Sequence, residues 1–229
     1  MPSWNIHTAH VERLLSGADP ADYGIRDVDC FLFGNLAPDV YVGYMVADTT
    51  RTIPYAVTHL TDPTFMPLPD AELFWESYVV RADARGEGAS DLALGAWAHL
   101  AADRCYNGAV RRVIADRDLP HGDALRVRKQ ADFDAFGRTL DISLAPRATD
   151  RVLAECASFP QYPIAPADAL AAVGAAREVV ERNRSEHLAG EPAWQLLDAV
   201  FFSRAFDEAD RVVSRRLRER ARRRARGSA

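Results

Sequence analysis

Asp91-Leu-Ala-Leu-Gly-Ala-Trp-Ala-His99-Leu-Ala-Ala-Asp103-Arg-Cys-Tyr106 is apolar all the way round a helical wheel. A helix of that kind belongs in the middle of a fold, with other helices packed on every side. Two ionisable residues interrupt it. His99 and Asp103 stand one helical turn apart, on one face, with Cβ atoms about 5–6 Å from each other. Gly95, Ala96 and Ala102 leave room beside them. An aspartate buried in this way requires a partner. A His–Asp hydrogen bond satisfied within a core meets that need, and so does a pair of metal ligands.

Outward from this stretch, helical spacing continues. Alternating apolar and polar runs are missing, and Ala, Leu, Arg and Glu dominate. The spacing predicts helices over 4–15, 70–81, 90–115, 123–140, 147–157 and 166–184, and from 191 into the tail. Ser90-Asp91 is a helix-start signal, as is Pro166 followed by Asp168. The Pro- and Gly-rich stretches 17–24, 62–69 and 159–166 are too short to be domain linkers. The expectation is an all-α, single-domain multi-helix bundle over 1–210, followed by a basic helical tail over 211–229.

Composition narrows the function classes. With 229 residues, 48% of them hydrophobic, the chain can bury one sizeable core. No apolar run reaches the roughly 18–20 residues of a membrane span, so no stable membrane insertion is expected. The start lacks the basic and apolar regions of a secretory signal. Cys30, Cys105 and Cys156 are odd in number and form no Cys-x-x-Cys pair. They read as reduced thiols in a cytoplasmic protein. From Arg211 to Arg226 there are nine arginines against one acid, while the rest of the chain carries 19 basic and 32 acidic residues. So acidic a body is a poor general binder of nucleic acid, and none is expected as a partner. The tail itself reads either as an anion-binding patch or, preferred here, as a solvated, fraying helix end. Lys129, the single lysine, could meet a phosphate or a surface acid.

Three further ligand-type residues stand in apolar segments. His7 shares a helical face with Val11, Leu14 and Leu15, whereas His10 falls at the margin of that stripe. Asp39 closes the run Phe31-Leu-Phe-Gly-Asn-Leu-Ala-Pro-Asp39, where Pro38 fixes a turn or helix start. His59 lies in Ile53-Pro-Tyr-Ala-Val-Thr-His59-Leu. His7, Asp39, His59, His99 and Asp103 together make a nitrogen and oxygen donor set suited to Zn2+, with Fe or Mn also compatible.

Trp4-x-x-His7, Gly34-Asn-Leu-Ala-Pro-Asp39, Thr58-His59 and Ala98-His-Leu-x-x-Asp-Arg104 occur in an order that resembles the bacterial zinc-dependent phospholipase C family, related to S1/P1-type nucleases. The resemblance covers about the first 110 residues. It implies an all-helical fold of phospholipase C/P1 nuclease type and hydrolysis of phosphoesters. It also implies one metal site from Asp39, His59, His99 and Asp103, with His7 serving a neighbouring metal bridged by Asp103. In that family a further histidine and a His-x-x-x-Glu pair hold a third metal. Here the downstream histidines are His121 and His187, and one or two Zn2+ ions are expected.

The leading expectation is therefore a cytoplasmic metal-dependent hydrolase. Its substrate would be a small phosphomonoester or phosphodiester, or a phospholipid head group, with Asp39 and Asp103 as the catalytic carboxylates. The alternatives are an iron-dependent redox enzyme acting on a small metabolite through the same residues, and a non-catalytic interaction protein stabilised by metal.

Overall fold

The computed structural model describes residues 2–62 and 64–227, and every regular element among them is helical. In chain order these are α1 (Trp4–Gly17), a 3-10 turn (Pro20–Tyr23), α2 (Val28–Gly34), a second 3-10 turn (Ala37–Asp39), α3 (Tyr55–Thr58) and α4 (Ala71–Phe74). A π-helical stretch (Trp75–Val80) then leads into α5 (Arg81–Ala84), α6 (Asp91–Asp116), α7 (Asp123–Arg138), α8 (Asp150–Ala157), α9 (Pro166–Ser185) and α10 (Ala199–Gly227). The all-α expectation holds, and no helix among the described residues is long and apolar enough to cross a membrane. Pro63 of the 62–69 connection and positions 228–229 of the tail lie outside the described residues.

α6 is the buried axis, with every residue from 91 to 103 inaccessible. Its start is set by Ser90, whose Oγ accepts the Ala93 N–H at 3.1 Å. Its first half packs into one apolar cluster with Phe31, Phe33 and Trp75. Ala102, Tyr106, Val110 and Ile114 join a second cluster with Phe133, Phe202 and Phe206. His99 and Asp103 therefore fall at the seam between two cores. Burying side chains of this size contributes about 1.5–3 kcal/mol each, enough to hold two ionisable groups inside.

α2 crosses α6 at backbone contact. A Cβ on Gly34 would stand 2.1 Å from the Leu92 carbonyl oxygen, and one on Gly95 would stand 2.1 Å from that of Phe31. Only glycine permits this approach at either position. The crossing places the chain after Gly34 directly beside the His99 face.

Element boundaries differ from the sequence expectation where polar side chains intervene. The last helix begins at Ala199 rather than near 191, because the buried Asp132 carboxylate takes the backbone N–H groups of Gln195, Leu196 and Leu197 at 2.7, 2.7 and 2.8 Å. Asp198 then accepts the Phe201 N–H at 2.7 Å and starts the helix. α2, α3 and the 3-10 turns carry too few residues for a helical period to show in sequence. The arginine-rich end is not simply solvated. The buried stripe Phe202, Ala205, Phe206, Ala209, Val213, Leu217 continues into buried Arg220. That guanidinium grips both oxygens of Asp83 at 2.8 and 2.9 Å. Arg216 lies over the Trp75 ring, 5.0 Å from its centroid.

Candidate metal centre

Four segments carry five ionisable side chains into one buried cluster. His7 comes from the inward stripe of α1, and Asp39 ends the 3-10 turn that Pro38 opens. His59 follows α3, with its N–H on the Tyr55 carbonyl at 2.9 Å. His99 and Asp103 come from the middle of α6. None is more than 5% exposed. The structure thus brings together all five residues that the sequence singled out.

The hydrogen bonds around the ring dictate which nitrogens are free. His99 Nδ1 lies 2.9 Å from the Asn35 carbonyl oxygen. A carbonyl only accepts, so Nδ1 carries the proton and Nε2 presents a lone pair. Thr58 Oγ1 donates its single proton to the Tyr55 carbonyl at 3.2 Å. It is then left to accept from His59 Nδ1 at 2.8 Å. His59 Nε2 therefore presents a lone pair as well. These two Nε2 atoms face each other at 3.1 Å.

Their surroundings are also acceptors. Asp39 approaches His59 Nε2 at 3.6 Å and His99 Nε2 at 3.9 Å. Asp103 Oδ2 does the same at 3.6 and 3.9 Å. Asp103 Oδ1 lies 3.3 Å from His7 Nε2, and the His7 ring stacks on His99 with centroids 3.8 Å apart. Both ring nitrogens of His7 and Asp103 Oδ1 are buried without a hydrogen-bond partner. Tyr55 Oη supplies a donor, to Asp103 Oδ2 at 3.1 Å. Acceptors crowded so closely repel one another unless a cation stands among them.

Electrostatics agree with that reading. Burial pushes His7, His59 and His99 below the ordinary histidine range, so all three are neutral at neutral pH, the form that ligates. Burial pushes the Asp39 carboxyl up to about 6.

Two triads, His7/His99/Asp103 and Asp39/His59/His99, each place ligand atoms within 4.8 Å of one another. They share His99, whose Nδ1 is committed to Asn35, and one Nε2 lone pair serves one ion. The triads are therefore two views of a connected cage, with Asp103 offering an oxygen to each side. The donor set fits a borderline transition metal such as zinc.

Asp39 and Asp103 also line a cavity of about 610 Å3, walled by Tyr44, Met45, Tyr55, Phe65 and Met66. Residues from α6 hold one wall in place. Arg104 donates to the Pro69 carbonyl at 3.0 Å, Asn107 to that of Pro67 at 2.8 Å, and Arg111 to that of Met66 at 2.8 Å. They fix Met66 at φ +55°, a left-handed conformation costly for a side chain of its size.

Other candidates take different places. His10, at the margin of its stripe by sequence, is buried and bonded to Asp210 and Tyr106 at 2.5 and 3.1 Å. His121 is exposed and stacks on Phe65, and His187 faces exposed Asp141 at 3.6 Å. The roles of Tyr55, Thr58 and the Asn35 carbonyl escaped sequence reasoning. The hydroxyl beside His59 was the available signal, because a ligating histidine needs an orienting partner on its other nitrogen.

No family model, curated protein or solved structure matches this chain.

Proposed function

We propose that the protein is a metal-dependent hydrolase acting on a phosphoester. The observation that carries this is the facing pair of imidazole lone pairs at 3.1 Å, caged by two carboxylates that also open onto a cavity. The carboxylates that face the cavity leave one side of the cage open to water or a substrate, as a catalytic site requires. Asp39, His59, His99 and Asp103 would hold one cation, and His7 with Asp103 would hold a neighbour. A cation bound there would supply Lewis acidity toward water and a phosphoryl oxygen.

The chain's own groups do the rest. Thr58 and the Asn35 carbonyl lock the two imidazoles in the ligating tautomer. Tyr55 orients Asp103 by its hydroxyl proton. The carboxylates at the cavity floor can accept the proton that water loses as its oxygen bonds to phosphorus, and return it to the ester oxygen that leaves as the alcohol. The choice of phosphorus chemistry rests on the four-motif resemblance to the zinc-dependent phospholipase C family.

Elemental analysis of protein purified without chelator tests the metal, with between one and two equivalents of zinc or another transition metal expected. A phosphatase and phosphodiesterase substrate screen tests the reaction. Metal-free protein that is folded and active overturns the assignment.

A further inference from the structure

We propose that Lys129 is the anion-recognition residue of this cavity, and that the pocket selects dianionic phosphomonoesters of apolar or aromatic alcohols over monoanionic diesters. The inference rests on the preceding functional reading for the phosphorus chemistry, though not for the anion site itself.

Lys129 is the single lysine of the chain and is only 4% exposed. It lies in α7 with Arg126 and Gln130, and all three line the cavity that Asp39 and Asp103 share. A buried ammonium normally carries a carboxylate against it. Among the described residues Lys129 forms no ion pair. Its Nζ lies over the Phe133 ring, 5.6 Å from the centroid. Burial depresses its basicity, and Asp103 and Asp134 are among the groups that oppose this. Asp134, at the same wall, accepts from Gln130 Nε2 at 3.0 Å. Arg126 stands at the exposed side, 3.2 Å from Asp123. A cation held inside without a contacting anion is stabilised by any ligand that brings one.

Charge accounting then selects among phosphate esters. The two cage carboxylates offset one of the two divalent cations, so the neighbouring ion and Lys129 both supply positive charge beyond neutrality. A phosphomonoester is close to dianionic at neutral pH, its second pKa being about 6, whereas a diester carries one charge. The extra ammonium rewards the extra oxyanion. The alcohol portion meets Tyr44, Met45, Phe65, Met66 and Pro67, which are apolar or aromatic surfaces. A volume of about 610 Å3 suits a small-molecule ligand.

The test uses two non-hydrolysable probes on metal-loaded protein above the second ionisation of phosphonate: phenylphosphonate, a dianion, and its methyl monoester, a monoanion. Calorimetry should show the dianion binding at least about tenfold tighter, a preference of the size expected for one charge-assisted contact. Lys129→Met should lower that preference several-fold with metal content and melting unchanged, and Lys129→Arg should keep most of it. Because there is one lysine, protein labelled with 13C at lysine Cε gives one side-chain signal. In the unmutated protein phenylphosphonate should shift that signal strongly and the monoester weakly, a readout that needs no variant to fold. Equal affinity for the two probes, an unmoved lysine signal, or a preference undiminished in Lys129→Met overturns the inference. Hydrolysis of 4-nitrophenyl phosphate and its methyl diester is followed in parallel. Lysine-dependent dianion binding without turnover of either ester refutes the hydrolase and leaves the anion site standing. Turnover indifferent to Lys129→Met refutes the anion site and leaves the hydrolase.

Discussion

Asp103 in α6 and Asp132 in α7 are equally buried, each 1% exposed, yet they keep opposite company. Asp132 faces three backbone N–H groups, which hold the 195–197 segment in place. Asp103 faces imidazole lone pairs and a second carboxylate, with one oxygen unpartnered. Burial therefore does not distinguish a structural acid from a ligand. The count of donors does, since a buried carboxylate surrounded by N–H groups is complete, whereas one surrounded by acceptors awaits a cation.

The largest expected effect breaks or keeps this contrast outright. Adding zinc at about a thousandfold excess over Kd should raise unfolding free energy by about 4 kcal/mol. Asp103→Asn should lose that increment. In chelator the same variant should be as stable as wild type or more so, because a charge leaves a cage that has few donors for it. Denaturant titrations with and without chelator decide, and a loss of several kcal/mol in chelator would make Asp103 an ordinary structural acid.

Next in size, Asp132→Ala strands three backbone N–H groups, two of them on buried residues, and should cost about 3 kcal/mol, to the same extent with metal or chelator. A metal-dependent cost would erase the distinction between the two acids.

The histidines of α1 repeat the contrast on one helix. His10 has a partner on each nitrogen, so His10→Ala should cost about 1–3 kcal/mol and keep its metal. Its marginal place on the helical wheel gave no sign of those two partners. His7 has unpartnered nitrogens, so His7→Ala should remove the second ion and lower turnover by about 100-fold. Metal stoichiometry and kcat measured side by side would expose the reverse ranking.

Asp83 gives the smallest effect and a third kind of company, because its partners are cations. Burial works to raise its carboxyl, but Arg220, the Ala89 N–H and Arg224 outweigh it and hold the group below the usual range. A depressed folded pKa contributes stability that is present above the unfolded value of about 3.9 and is lost as pH falls through the folded one. Wild type should therefore lose about 1 kcal/mol in acid below that point, a loss that Asp83→Asn does not share. Parallel acid titrations of unfolding would rule the pairing out if the two curves superimpose.

How much of this was legible in the sequence follows the same physics. α6 announced itself, because an all-apolar helix with an i, i+4 His–Asp pair has few places to go. The five cage residues were legible for one reason, being polar where their neighbours are not. The closing of the cage was not, since it depends on Gly34 and Gly95 meeting across two helices far apart in the chain. Nor was the start of α10, which Asp132 sets from another element. The tail misled because its stripe is carried past Leu217 by an arginine, which a wheel of apolar residues does not count.

The wall clamp and the cage floor hang on one rod. His99 and Asp103 point to the cage, while Arg104, Asn107 and Arg111 grip the carbonyls of 66, 67 and 69. One residue inserted between 99 and 111 would turn the clamp by about 100° relative to the floor. In lineages that descend from this chain, length changes should accumulate in the surface loops, while the interval between His99 and Arg111 stays fixed to the residue. That interval is a molecular ruler, and a paralogue that altered it would have had to abandon the chamber along with it.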